Sequence, residues 1–252
     1  MLVDENVISD VASQQYTIKI AKTEEEVAKA FRLRYRVLKK ELHSNFVFKD
    51  GRDKDAYDDQ THHLIVVNNE DESIIGTYRL QSYEQAKAGI GFTSNIRFHL
   101  EQFPDEVLEN GVEVGRACIS EEHRSGRVLF LLWKGLANYL EHFDKRYLFG
   151  YAALETTRPN VALETYEYLK KEGHIHPDYY LEPREGYELE WAEEMERTGQ
   201  IDIPPLFQNY LQVGCKVCGG PSIDRKLKLL HFLILLDVES ISERTRRMFF
   251  GR

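Results

Sequence analysis

Cysteine is scarce: three in 252 residues, of which Cys215 and Cys218 form a single C-x-x-C pair. Three thiols cannot build a disulfide framework, which points to a reducing, cytoplasmic setting. A structural zinc site needs four ligands, and no second cysteine pair accompanies the first, so no metal site is expected. Long apolar runs are also missing. The longest is Val128 to Trp133, far short of the roughly 20 residues that cross a bilayer. The opening MLVDENVISD has none of the basic-then-apolar build of a secretory signal. Positive charge is in deficit, with 33 Lys and Arg against 42 Asp and Glu for a net charge of −9. That excludes a general nucleic-acid binder, because neutralising phosphates takes a surplus of Lys and Arg on one face. Repeats, low-complexity linkers, G-x-S-x-G elbows, Walker loops and H-E-x-x-H motifs are all absent.

What is present suffices for a core: 42% of residues are hydrophobic. Residues 1–15 are polar and expected to form a flexible tail, and 16–252 read as one domain. Tyr16 to Ala21 alternates as a strand does. Thr23 is an N-cap candidate, and Glu24, Glu25 and Glu26 fill the first turn of a helix running to about Leu42. His63–Asn68 and Ile74–Gln81 form a predicted hairpin, and Phe98–Phe103 a short helix. Gly111–Ser120 reads as a strand interrupted at Gly115, where a bulge or a close backbone approach is expected. A buried helix runs from Arg124–Gly126 to Phe143. Arg146–Leu154 is a strand, and Pro159 opens the next helix. Residues 181–200 form an acidic insertion, with seven glutamates around Trp191, expected to be solvated and partly helical. Leu206–Val213 fits either a short helix or a strand. Phe232–Val238 is a strand, and Ile241–Phe250 a final helix. The fold class is therefore α/β (α+β), a mixed sheet flanked by helices.

Two features carry chemistry. Arg116 to Arg127 is a strand, an acidic-basic turn and the start of a long helix. A helix N-terminus offers unpaired N–H groups to a phosphate, and Arg124, Ser125, Gly126 and Arg127 stand there. The second feature is a scatter of charges inside apolar segments: Arg34 on a helix stripe, Asp55 and Asp58 in the loop after it, Arg79 in GTYRL, and Glu113 with Arg116 in GVEVGRA. Charges so placed must be paired. They make either a structural ion-pair network or a polar pocket that holds an amine and a carboxylate.

The ordered set Phe31-Arg-Leu-Arg-Tyr-Arg-Val37, Asp55-Ala-Tyr-Asp58, His63-Leu-Ile-Val66, Gly76-Thr-Tyr-Arg-Leu80 and Glu113-Val-Gly-Arg116 resembles the acyl-carrier-protein-dependent branch of the GNAT fold. That branch holds the ornithine N-acyltransferases of ornithine-lipid synthesis, the long-chain N-acyl amino acid synthases and, more distantly, the acyl-homoserine-lactone synthases. The C-terminal extension, Pro205 to Gly214, then Pro221, Asp224 and Phe232 to Asp237, is similar to that of the ornithine-lipid enzymes. The resemblance implies a GNAT-like mixed central sheet and transfer of a long-chain fatty acyl group from an acyl carrier protein thioester to the amine of an amino acid. It implies Glu113 and Arg116 as catalytic residues and Arg34, Asp55, Asp58 and Arg79 as substrate-binding ones. The phosphopantetheine loop, usually Q/R-x-x-G-x-G/A, is matched only in part by Arg124, Ser125, Gly126 and Arg127. That degeneracy fits an acyl-phosphopantetheine donor held mainly by its carrier protein, with coenzyme A as the alternative carrier and no tightly bound cofactor. The carrier is acidic, so docking calls for local cations: Arg124, Arg127, Lys134, Lys145, Arg146, Arg225, Lys226 and Lys228. A lipid product implies peripheral membrane contact. Two other readings stay open: an acyl-CoA-dependent acetyltransferase acting on a small amine, and a non-catalytic binding module on the same fold.

Overall fold

The computed structural model describes residues 8, 10–41, 49–124, 126–190, 196–199 and 201–251. They group into two compact units, one of Met1–Gly91, Val114–Lys145 and Arg246–Arg252, the other of Phe92–Glu113 and Arg146–Thr245.

The first unit starts with β1 (Val11–Ala12), which pairs with β2 (Tyr16–Ile20). Part of the expected tail is thus a sheet edge, because Ser13 closes a tight turn onto Tyr16. Helix α1 (Glu24–Glu41) begins as expected. Thr23 Oγ1 accepts the Glu26 N–H, and Glu26 returns a carboxylate to the N–H groups of Lys22 and Thr23. This reciprocal cap satisfies donors the helix leaves open. The inner stripe of α1 packs Ala30, Leu33 and Val37 onto Ile65, Ile74 and Cys118. Strands β3 (His62–Asn68) and β4 (Ile74–Ser82) form the expected hairpin, and every residue of β4 is buried. Ser82 and Gln85 cap the short α2 (Tyr83–Ala88) in the same reciprocal way.

Helix α4 (Arg127–His142) lies close against β2 and β3 because Gly135 has no side chain. A Cβ there would sit 2.8 Å from Leu64 and 2.9 Å from Ile18. Gly135→Ala should therefore cost about 1–3 kcal/mol, as overpacking of a tight core does. Urea unfolding measures this directly, and an unchanged midpoint would mean that the helix shifts freely.

Strand β5 (Gly111–Ile119) runs from the second unit into the first. Its first residues, Gly111–Glu113, pair in parallel with β6 (Tyr147–Leu154). Past its end, the Ser120 N–H donates to the Ile75 carbonyl of the first unit. In the second unit β6 pairs antiparallel with β9 (Leu229–Asp237), which also carries β7 (Lys216–Val217) and β8 (Ser222–Asp224). Helices α5 (Pro159–Lys171) and α6 (Pro205–Val213) supply Ala162, Leu169, Phe207 and Leu211 to a core with Leu154, Phe232 and Ile234. Helix α3 (Asp105–Glu109) is a single short turn, and α7 (Glu243–Phe250) closes the chain, with Phe249 against Phe130 and Trp133 in the first unit.

Two segments differ from the sequence reading or resolve it. Leu206–Val213 is helical: Pro205 opens α6 where no N–H partner is needed, and Gly214 ends it at φ 109°. Residues 182–190 of the acidic insertion contain no helix. Phe98 bridges Pro183, the Arg184 N–H donates to the Arg97 carbonyl, and the Ile223 N–H donates to the Tyr187 carbonyl. Long-range pairing wins over local helix preference here. Trp191 to Met195, and Gln200, lie outside the described residues.

Candidate active site

The scattered charges of the sequence converge in the first unit. Arg34, on the buried stripe of α1, is 0% exposed. Its Nε donates to Asp53 at 2.9 Å, and its Nη1 and Nη2 donate to the two oxygens of Asp58 at 2.7 and 3.0 Å. Asp55 caps the short 3-10 helix Ala56–Gln60, and Asp58 returns a carboxylate to the Asp55 N–H. Arg79, projecting from β4, donates to both oxygens of Asp55 at 2.8 and 2.9 Å. Arg116 on β5 reaches Asp55 at 2.8 Å and lies 3.5 Å from Asp53. Among the described residues three arginines thus meet three aspartates. Burial by itself would raise the Asp55 carboxyl, but the Arg79 and Arg116 charges override it and hold the group well below the usual carboxylate range. Asp58 is lowered for the same reason, with Arg34 as the chief partner.

The network brings together Arg34, Asp55, Asp58, Arg79 and Arg116, all singled out in the sequence. It adds Asp53. Arg34 and Asp58 are sealed inside. The accessible end is Asp55 and Arg116, whose side chains are 28% and 29% exposed.

The irregularity in β5 falls one residue later than expected. Gly115 keeps negative φ, whereas Arg116 takes φ 52°. A non-glycine residue in the left-handed region is strained and is held there by its surroundings, here by the ion pairs of its guanidinium. The backbone at Arg116 is thereby turned out of the regular ladder geometry.

Glu113 belongs to the second unit. It is buried, and its oxygens accept the backbone N–H groups of Thr93 and Ser94 at 2.8 and 2.6 Å. It therefore anchors the first turn of the 3-10 helix Thr93–Ile96.

The turn before α4 holds the predicted phosphate-binding residues. Gly126 caps the helix at φ 83°. Arg124 donates through Nε and Nη2 to the Ile119 carbonyl at 3.2 Å. Arg127 reaches Gln15 at 3.1 Å and lies over the Tyr16 ring. Ser125 lies outside the described residues. Beside this turn is a cleft of about 560 Å³, lined by Arg36 and Val37 of α1, by Ile74 and Ile75, and by Ser120 to Arg124.

Residues 33–134 match the family described as the acetyltransferase (GNAT) domain. The fold is also that of BjaI, a CoA-dependent acyl-homoserine lactone synthase solved with SAM and isopentyl-CoA. The TM-score is 0.51 at 15% identity, covering 91% of this chain and 82% of that one. The chain has the GNAT fold. It is similar along nearly its whole length to an L-ornithine N(alpha)-acyltransferase of Rhodobacter capsulatus, at 28% identity over 96% of this chain and 97% of the relative. Another L-ornithine N(alpha)-acyltransferase, from Brucella abortus, is 27% identical over 90% of this chain and 86% of its own.

Some of the cations expected to attract a carrier are already engaged in the acyltransferase. Lys145 pairs with Glu84 at 2.6 Å, and Arg146 with Asp237 at 2.6 Å and Glu239 at 2.8 Å. Arg225 donates to the Gly186 and Glu188 carbonyls. These contacts could not be foreseen, because each joins residues far apart in the chain. Sequence reasoning also missed a buried pair in the second unit, Arg97 with Asp224.

Buried histidines give the acyltransferase an acid limit. Burial pulls His62 and His63 down to about 4 and His231 to about 3. A histidine kept neutral in the fold contributes fully above its ordinary value near 6.5. That contribution is lost as pH falls from there toward the depressed one. Each of His62 and His63 should cost about 3 kcal/mol by pH 4. Asp55 and Asp58 act lower, since their contribution starts to fall only below about pH 4. The thermal midpoint should thus begin to drop just below pH 6.5. A midpoint level from pH 7 to 4.5 would mean that these rings are solvated.

Proposed function

We propose that the acyltransferase moves a long-chain fatty acyl group from an acyl carrier protein thioester to the α-amine of ornithine. The observation that carries this reading is the end-to-end similarity to L-ornithine N(alpha)-acyltransferases of comparable length. In the reaction a neutral amine attacks the thioester carbonyl, the C–N bond forms, the C–S bond breaks, and the phosphopantetheine thiolate leaves with a proton. The α-amine arrives protonated at neutral pH, so a base must take that proton.

We assign this task to Glu113, acting through water. Both its oxygens accept backbone N–H groups, which fixes the carboxylate in place. Developing negative charge on the carbonyl oxygen needs N–H donors. Those of Arg116 to Ile119 are our candidates, supported by the turned backbone at Arg116. Arg34, Asp55, Asp58 and Arg79 hold that stretch of β5 through Arg116. Within this set, only the accessible Asp55–Arg116 end is open to the substrate. The phosphate of the donor's pantetheine arm is assigned to the turn at Arg124, Gly126 and Arg127. An acyl carrier donor implies a cytoplasmic site of action, and the product a transient contact with membrane.

The test is a transfer assay with ornithine and either acyl carrier protein or coenzyme A as the carrier of a long acyl chain, read by mass spectrometry. The carrier-protein arm should be faster, and its KM should rise with added salt, as expected for docking on local cations. Salt-independent, equal rates with coenzyme A would reassign the donor. Turnover confined to acetyl-CoA and small amines, or no amide product at all, would overturn the reading.

A further inference from the structure

We propose that a buried polar cluster built on Arg97 holds the carboxylate of the amino acid acceptor. This rests on the reading that the acceptor is an amino acid, and it places the acceptor's carboxylate on residues other than those the resemblance implied.

Arg97 follows directly on the 3-10 helix Thr93–Ile96, whose first turn Glu113 anchors. A single short turn therefore joins the proposed base to this arginine. The Arg97 side chain is buried, and its guanidinium lies over the rings of Tyr151 at 5.2 Å and Tyr187 at 5.6 Å. Rings at that distance fix the plane of the guanidinium and favour its charge. One edge of the fork is committed, since Nη2 donates to Asp224 at 2.6 Å. Among the described residues its Nε–H has no partner.

Of the buried polar atoms without a partner among the described residues, two more lie near Arg97. Ser222 and His231 stand opposite one another across β8 and β9, so their side chains lie on the same face. Asp224, two residues beyond Ser222, lies on that face as well. The His231 ring meets Tyr151 edge-on at 4.7 Å. The Ser222 hydroxyl and His231 Nδ1 are both buried and, among the described residues, without a partner, on residues 0% and 2% exposed.

Native proteins seldom leave such groups unmet, because each destabilises the fold. Here a guanidinium N–H, a hydroxyl and an imidazole nitrogen, all able to donate, are grouped beside one arginine. An incoming carboxylate, which only accepts, satisfies such a set. A purely structural Arg97–Asp224 pair accounts for Nη2 but leaves the other three atoms unexplained.

The experiment uses the full chain, with two variants and two readouts. Arg97→Lys retains the charge and a partner for Asp224 but loses the planar fork. Ser222→Ala removes a hydroxyl that has no hydrogen-bond partner among the described residues. Arg97→Lys should raise the KM for ornithine by about 100-fold and leave the KM for the acyl donor unchanged. Wild type should also discriminate against ornithinamide, which lacks the carboxylate, and Arg97→Lys should lose that discrimination. Ser222→Ala should melt at the same temperature as wild type or higher, yet bind ornithine more weakly. The second readout is the upward shift in melting temperature that ornithine produces without any donor, expected in wild type and lost in Arg97→Lys.

If the variants keep the wild-type KM, discrimination and ornithine-induced shift, the site is overturned while the transferase reading stands. If ornithine stabilises wild type through Arg97 but no amide forms, the site stands and the transferase reading falls. If wild type neither binds nor acylates ornithine or any other amino acid, both fall.

Discussion

Arg34→Met should destabilise the protein by about 3–5 kcal/mol, the cost of leaving buried charges without their partner. The arginine is 0% exposed and serves Asp53 and both oxygens of Asp58. Without it, Asp58 keeps a contact to Arg79 at 3.4 Å and Asp53 one to Arg116 at 3.5 Å, neither of which replaces a bidentate bond. Arg34→Lys should recover little, because one ammonium cannot serve two carboxylates in the geometry of a planar fork. Total stability of an ordinary domain is only about 5–15 kcal/mol, so the methionine variant should show a much lower urea midpoint and poor recovery in soluble form. The combined variant Arg34→Met, Asp53→Asn, Asp58→Asn should regain part of the loss, since the stranded charges are then gone. A single variant within about 1 kcal/mol of wild type would show that water reaches the network.

The largest effect on activity is expected from Glu113→Gln. Loss of a base that accepts a proton in the rate-limiting step lowers turnover by about 10²–10⁴-fold. The substitution also has a structural cost. A glutamine keeps one oxygen for an N–H but turns its own NH₂ toward the other, leaving the Thr93 or Ser94 donor unmet at about 1–3 kcal/mol. Turnover must therefore be expressed per folded molecule, with a melt run alongside. The pH profile separates the two effects, because the wild-type acid limb set by Glu113 should vanish in the variant. Turnover per folded molecule within a few-fold of wild type, with that limb unchanged, would confine Glu113 to anchoring Thr93 and Ser94.

Much of the local structure could be read directly. Thr23 with Glu26 announces α1 because a cap involves residues three apart. The β3–β4 hairpin is written in two β-rich runs around NNEDES. The residue types of the ion network were also legible, since an arginine inside GTYRL or on an apolar stripe demands a carboxylate. Its pairing was not. Asp53, Asp55 and Asp58 are chemically alike, and which arginine each meets depends on where the loop folds against α1, β4 and β5. Nor did the backbone strain fall on the glycine. Gly115 is the freer residue, yet Arg116 takes the left-handed conformation, its side chain held by Asp55 and Asp53.

By itself, then, the sequence determined the order of helices and strands, the need for a buried ion network and the kinship with acyltransferases, because caps, periodicity and residue chemistry act over a few neighbours. Only the tertiary structure decided that Lys145 and Arg146 are already paired, that residues 182–190 form no helix, and that Arg97 meets Asp224, 127 positions away. Contacts at such separations are set by how sheets and helices stack, and no local pattern records them.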